Sequence, residues 1–144
     1  MFTDWSEDLA TQIKEIDNCN KELFRRIDSL IKASKYGKVR EELPQMMKFL
    51  NKYATEHLKN EEKYMMEYGY LKNIHHGIMH SFFIKSFHRL NNEYEKEGPK
   101  NITFILELIN LLTNWLISHV NRDDKEMADF IRNKVKNAPS KIQI

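Results

Sequence analysis

Four glycines and three prolines are all that 144 residues offer to break a helix. Their spacing constrains the fold more than any other feature. Gly37 follows a helix-like run, as a C-terminal glycine should. Gly69 separates "YMMEY" from "YLKNIHH". Gly98-Pro99 is a stop followed by a start, because proline suits the first helical turn. The breaks leave four helical segments, about 17–35, 40–67, 72–96 and 99–120, and a shorter helical piece at about 124–136.

Periodicity agrees. Ile13, Ile16, Leu23, Phe24, Ile27, Leu30 and Ile31 recur at helical spacing in the first segment. Ile105, Leu108, Ile109, Leu112, Leu116 and Val120 do so in the fourth. No run alternates with period two for long enough to make a strand. Pro44 either opens the second helix or kinks it near its start. Four amphipathic helices with short connections predict an all-α, up-down-up-down antiparallel four-helix bundle. We expect one domain over residues 1–144, with an N-terminal arm at 1–15, a short C-terminal helix and a tail at 137–144.

Charge narrows the partners. Lys+Arg is 23 against Asp+Glu 21, and the lysines are spread along the chain, so no nucleic acid is expected. A lone cysteine, Cys19, cannot close an internal disulfide. The start "MFTDWSEDLA" is acidic where a signal peptide is basic. The most apolar stretch, "FILELINLLTNWLI", is too short to span a bilayer and carries Glu107, Asn110 and Asn114. The expectation is a soluble cytoplasmic protein without a membrane partner, a monomer or small homo-oligomer.

The histidines carry the chemistry. In "EHLKNEE", His57 and Glu61 are four apart and share one helix face. In "HHGIMH", His76 and His80 do the same, bracketing Gly77, whose small size could ease a close approach. In "WLISHVNRDD", His119 is followed by Asp123 and Asp124. One His/Glu pair is ordinarily a solvated ion pair. Such sets on three successive helices are much harder to explain as surface. Imidazoles suit iron, zinc and copper, and a carboxylate can bridge two metals, so the pattern points to a di-metal site inside the bundle. His75 has Met79 four residues on, and His88 has no partner at helical spacing, so both are assigned to the surface or its border.

Asp123 and Asp124 compete. An ideal helix puts Asp123, at i+4, on the His119 face. Yet Asp123 with Glu126 also makes a capping box, and a chain that turns there would swing Asp124 inward. Spacing does not decide. In "EIDNCNKELF" the stripe points Asn20 inward, four residues from both Ile16 and Phe24. A buried amide must be hydrogen-bonded or cost about 1–3 kcal/mol. Cys19 lies about 100° round the helix, at the stripe's edge.

Together these motifs resemble the hemerythrin family, including its single-domain bacterial members. The likeness runs from Asp4-Trp5 and "IDNCNKELF" through "HLKNEEKYM" and "YGYLKNIHHGIMH" to "WLISHVNRDD". It implies two non-haem irons joined by an oxo or hydroxo bridge. His57 is then a terminal ligand, Glu61 and Asp124 are the bridging carboxylates, and His76, His80 and His119 hold one iron. Leu116 matches an apolar residue of the oxygen pocket, though plain core packing explains it equally. The departure is Asn20, which stands where the family has a histidine on the second, oxygen-binding iron. Asn20 is then a weak ligand or a hydrogen-bonding neighbour, and Cys19 a ligand only if helix one rotates. The second iron keeps its place with Asn20 or water, or it is labile and one metal remains, or the site is vestigial.

The function the resemblance implies is binding of molecular oxygen or a similar small ligand, for carriage, storage, delivery or sensing, rather than enzymatic turnover. The alternative is a peroxide- or nitric-oxide-processing di-iron enzyme. Tyr64 and Tyr68, on the ligand helix, read as packing residues with redox capability.

Overall fold

A computed structural model describes residues 4–98 and 102–137. Within them the apolar stripes become the inner faces of four helices. α1 is Lys14–Lys35, α2 spans 39–67, α3 is Asn73–Glu97 and α4 is Ile102–Lys136. α1 packs against α2 and α4, and α3 closes the square against the same two. No strand forms among the described residues.

α1 and α2 end in the same way. After each, a glycine takes the left-handed backbone, Gly37 at φ 69° and Gly69 at φ 73°. The next amide then reaches back to a helix carbonyl, Lys38 to Ala33 at 2.9 Å and Tyr70 to Met65 at 2.8 Å. A Cβ at either position would strain that turn. Gly98 follows α3, while Pro99, expected to open the next helix, lies outside the described residues. So does the tail beyond residue 137. Pro44 sits inside α2 past its first turn, and the helix continues through it.

Core and site share the bundle lengthwise. Phe24, Ile27 and Leu30 of α1 meet Leu43, Met46 and Leu50 of α2, Phe83, Phe87 and Leu90 of α3, and Phe104, Leu108 and Leu112 of α4. Each such side chain contributes roughly 1.5–3 kcal/mol by leaving water. Residues 57–61, 76–80 and 119–124 come level with one another toward the opposite end, because consecutive helices run antiparallel.

The arm is fixed in place. Asp17 Oδ1 accepts hydrogen bonds from the Thr11 amide at 2.9 Å and the Thr11 hydroxyl at 2.8 Å. Its Oδ2 accepts from the Gln12 amide at 3.0 Å. Arg132, near the end of α4, donates to the Ala10 carbonyl at 2.8 Å. α1 begins at Lys14, so it starts before the expected 17 and takes the last two residues of the expected arm, in line with the stripe that opens at Ile13.

The break expected between a helix ending near 120 and a separate short helix from 124 does not occur. The chain passes through a π-helical stretch, Leu116–Asp124, and continues as α-helix, Lys125–Lys136. With no new helix to start there, the Asp123–Glu126 capping box has nothing to cap, and no side chain caps the junction. A second π-helical turn, Tyr53–His57, interrupts α2, where the Leu58 amide bonds the Tyr53 carbonyl five residues back. Both wide turns carry a site histidine, a common place for π-helix. At 35 residues, α4 is by length and composition long and apolar enough to cross a membrane, with a mean hydropathy of 1.3 over its most apolar window. The short apolar stretch seen in the sequence is only part of it, and Phe104, Leu108, Leu112 and Leu116 on its inner face are core residues.

Candidate metal centre

Glu61, His76, His80, His119 and Asp124 each present one ligand atom, and these atoms lie within 4.8 Å of one another. All five residues are buried. Glu61 Oε1 is 3.1 Å from His80 Nε2 and 3.5 Å from His76 Nε2. Asp124 Oδ1 is 2.9 Å from His76 Nε2 and 3.0 Å from His119 Nε2. On the other side of the carboxylate, Glu61 Oε2 is hydrogen-bonded to His57 Nε2 at 3.0 Å.

Proximity here is not hydrogen bonding. Glu61 Oε1, the Nε2 atoms of His76, His80 and His119, and both Asp124 oxygens are buried without a hydrogen-bond partner. Orphaned buried polar atoms are costly, each about 1–3 kcal/mol. Six of them in one place, close together yet not aimed at each other, fit a metal cation: imidazole nitrogens and carboxylate oxygens are its usual donors.

The wide turn in α4 explains the two aspartates. In a π-helix the hydrogen bond runs i→i+5, so residues five apart come onto one face. Asp124 therefore meets His119 on its Nε2 side. Asp123 lies at the other ring nitrogen, with its Oδ2 3.3 Å from His119 Nδ1. His119 is flanked by both residues, which the sequence set as rivals.

Electrostatics follow from burial. In the metal-free protein burial opposes charge on His57, but the neighbouring Glu61 carboxylate outweighs it and pushes the pKa up to about 10. For His76 burial is again outweighed, by the Asp124 and Glu61 carboxylates beside its ring, and the pKa rises to about 10. His80 is also raised, against burial, chiefly by Glu61 and Glu62. Burial pushes Glu61 up, yet His57, His76 and His80 hold it well below the usual carboxylate range. Asp124 is held low by His119 and His76 against burial and the Glu61 charge. Metal-free, the carboxylates favour the protonated form of His57, His76 and His80. A cation would take the protons' place.

Three supporting residues, Glu62, Tyr53 and Trp115, lie outside the set that the sequence analysis singled out as metal donors. Glu62 Oε2 is 3.0 Å from His80 Nδ1, so it turns Nε2 toward the centre. Gly77 makes room for it: a Cβ there would stand 3.4 Å from Glu62 Oε1. Trp115 stacks on His119 at 3.9 Å, and Tyr53 stacks on His57 at 4.8 Å. The Trp115 indole N–H donates to the Tyr53 hydroxyl at 2.8 Å, tying the braces together across α2 and α4. Each brace sits four residues before its histidine, a repeat of aromatic-x-x-x-His that the sequence does contain. Tyr53→Phe keeps the ring but orphans the Trp115 N–H. Urea unfolding of the metal-free protein is expected to show a loss of about 1–3 kcal/mol, and an unchanged midpoint would mean that the bond carries no load.

The remaining candidates are placed as follows. Asn20 is 2% exposed, and its Oδ1 has no hydrogen-bond partner. Cys19 is half-buried beside it. Leu116 is fully buried in the core cluster. His75 and His88 are exposed. Tyr64 and Tyr68 stack on each other at 6.5 Å, in a satellite apolar cluster rather than among the five grouped residues.

Comparison with known proteins agrees with this geometry. The hemerythrin HHE cation binding domain matches residues 11–131. A bacteriohemerythrin of Pseudomonas aeruginosa (strain LESB58) is 30% identical over 131 residues, covering 91% of this chain and 82% of the relative. One from Clostridium acetobutylicum is 27% identical over 129 residues, covering 87% and 98%. One from Stenotrophomonas maltophilia is 26% identical over 128 residues, covering 89% and 80%. Helical architecture, buried donor set and domain match converge: the chain belongs to the hemerythrin family.

Proposed function

We propose that this protein is a cytoplasmic non-haem di-iron protein that binds oxygen or a similarly small ligand, with a second iron position altered by Asn20. The observation that carries it is the way Glu61 divides its oxygens. Oε1 faces His76 and His80, while Oε2 faces His57. A carboxylate split in this way can serve two metal positions. His76, His80 and His119 would hold the first iron, His57 the second, with Glu61 and Asp124 between them. Iron there would supply electrons and an open coordination position.

The chain supplies the rest. Asp124 Oδ2 and Asn20 Oδ1 are both buried and unpartnered, as donors to a second cation would be. Trp115 and Tyr53 hold the rings of His119 and His57. Leu116 contributes an apolar wall that excludes water. An amide oxygen is a neutral and weaker donor than imidazole, so the second iron would exchange more readily. That same weakness favours, as a second reading, turnover of peroxide or nitric oxide; a peroxide assay on the iron-loaded protein that finds no consumption removes it.

The primary test is iron content with the visible spectrum in air. Two irons per chain with charge-transfer bands is the expected result, and protein purified with iron available that carries none sinks the proposal. Asn20→His is expected to raise second-iron affinity by about tenfold or more, the scale on which single site residues act. It should also lengthen retention of the small ligand. A variant identical to the parent in both would place Asn20 outside the site.

A further inference from the structure

A groove of about 460 Å³ lies between α1 and α2. Glu15, Cys19 and Glu22 of α1 and Lys52, Glu56 and His57 of α2 line it. His57 is otherwise buried, 4% exposed, and its Nε2 is bonded inward to Glu61. The groove therefore runs from solvent to a residue of the proposed second metal position. His80 is backed by Glu62 and His119 by Asp123 and Trp115; on His57 that place is taken by the Tyr53 ring and the Cys19 thiol, both of which line the groove.

Two of the groove's three carboxylates are matched by cations: Glu22 pairs with Arg25 and with Arg26, the latter at 2.7 Å, and Glu56 faces Lys52 at 4.0 Å. The Cys19 thiol lies against the His57 ring and narrows the inner end.

Resting on the di-metal reading above, we infer that this groove is the route by which a divalent cation reaches the second metal position. His57 is the ligand it meets first. Loading at this position is then limited by passage between α1 and α2.

Cys19 is the chain's sole cysteine, so a maleimide carrying a bulky group addresses the groove wall and nothing else. Metal-free full-length protein is mixed with Co(II), and uptake is followed by the visible absorbance of the bound ion. Three samples are compared: untreated, maleimide-labelled, and Cys19→Ser exposed to the same reagent. Labelling is expected to slow the cobalt phase that fills the second position by about tenfold or more, and Cys19→Ser should match the untreated protein. Glu56→Lys, a substitution on an exposed side chain, sets a second ammonium beside Lys52 in the cation's path and is expected to slow the same phase by about tenfold, an effect that added salt relieves as it screens like charge. Final cobalt content stays at the parent value in each case. This second variant keeps the test decisive if the label distorts the bundle. Equal uptake rates in labelled, Glu56→Lys and untreated protein, all reaching full content, overturn the route while leaving the metal site intact. Untreated protein that takes up no cobalt overturns the metal reading itself.

Discussion

Glu61→Ala is expected to empty both proposed metal positions at once and to destabilise the metal-free bundle by about 3–5 kcal/mol, the cost of leaving buried charge without its partner. No other side chain in the cluster touches three histidines: His57 through one oxygen, His76 and His80 through the other. Without it, His57 loses the carboxylate that raises it and the Nε2 partner it has, while His76 keeps Asp124 and His80 keeps Glu62. Glu62→Gln is the informative contrast. That residue only orients His80 from behind, so metal affinity should fall about 10–100-fold without loss of the site. Iron per chain and urea unfolding separate the two variants. Glu61→Ala that still retains two irons would show that Glu61 is not a bridge.

The second large effect is on pH. In the metal-free protein His57 and His76 are raised to about 10, above the value of about 6.5 they take when unfolded. The stability they add is complete below about pH 6.5 and is lost as pH climbs through about 10. Glu61 and Asp124 run the other way. Held low when folded, they add stability above their unfolded values of about 4, and it disappears as pH falls through their folded ones. The metal-free bundle is therefore most stable near about pH 5–6 and weakens steadily on the alkaline side. One pKa unit at full titration is worth about 1.4 kcal/mol, so even part of the two histidine shifts makes that slope steep. Metal loading should abolish it, because the ligands must release their protons to bind a cation. Urea midpoints in chelator at about pH 5.5, 7.5 and 9.5, repeated with metal, measure both slopes. A flat metal-free profile would mean that the carboxylates do not hold the histidines charged.

The clustering of these side chains was legible because α-helical spacing puts them on shared faces. His57 with Glu61, and His76 with His80, need nothing beyond a repeat of four to be read as shared faces. The same rule could not settle Asp123 against Asp124, since it assumes an α-helix and the chain there is π-helical. Nothing in "LISHVNRDD" marks a wider turn, and the polar run after it reads as a helix end. Glu62 was illegible for a different reason. It follows a ligand and is 42% exposed, and only the approach of α3 at Gly77 brings it to His80. Tyr53 and Trp115 were legible in principle, each four residues ahead of a histidine, but aromatics at that spacing are ordinary core in most bundles. The arm's attachment through Arg132 could not be foreseen, because it joins residues 122 apart in the chain.

The wide turn in α4 also couples the two ends of its second half. Between Leu116 and Asp124 the helix carries an additional residue in its winding. If that stretch rewound as ordinary α-helix, everything beyond it would swing by about 100° about the axis. Asp124 would leave the His119 face, and Arg132, which grips the arm at Ala10, would swing away with it. The length of this segment is thus a gear setting shared by two distant contacts. A one-residue insertion between Leu116 and Asp124 should disengage both, and the loosening of the arm around Trp5 would be its outward sign.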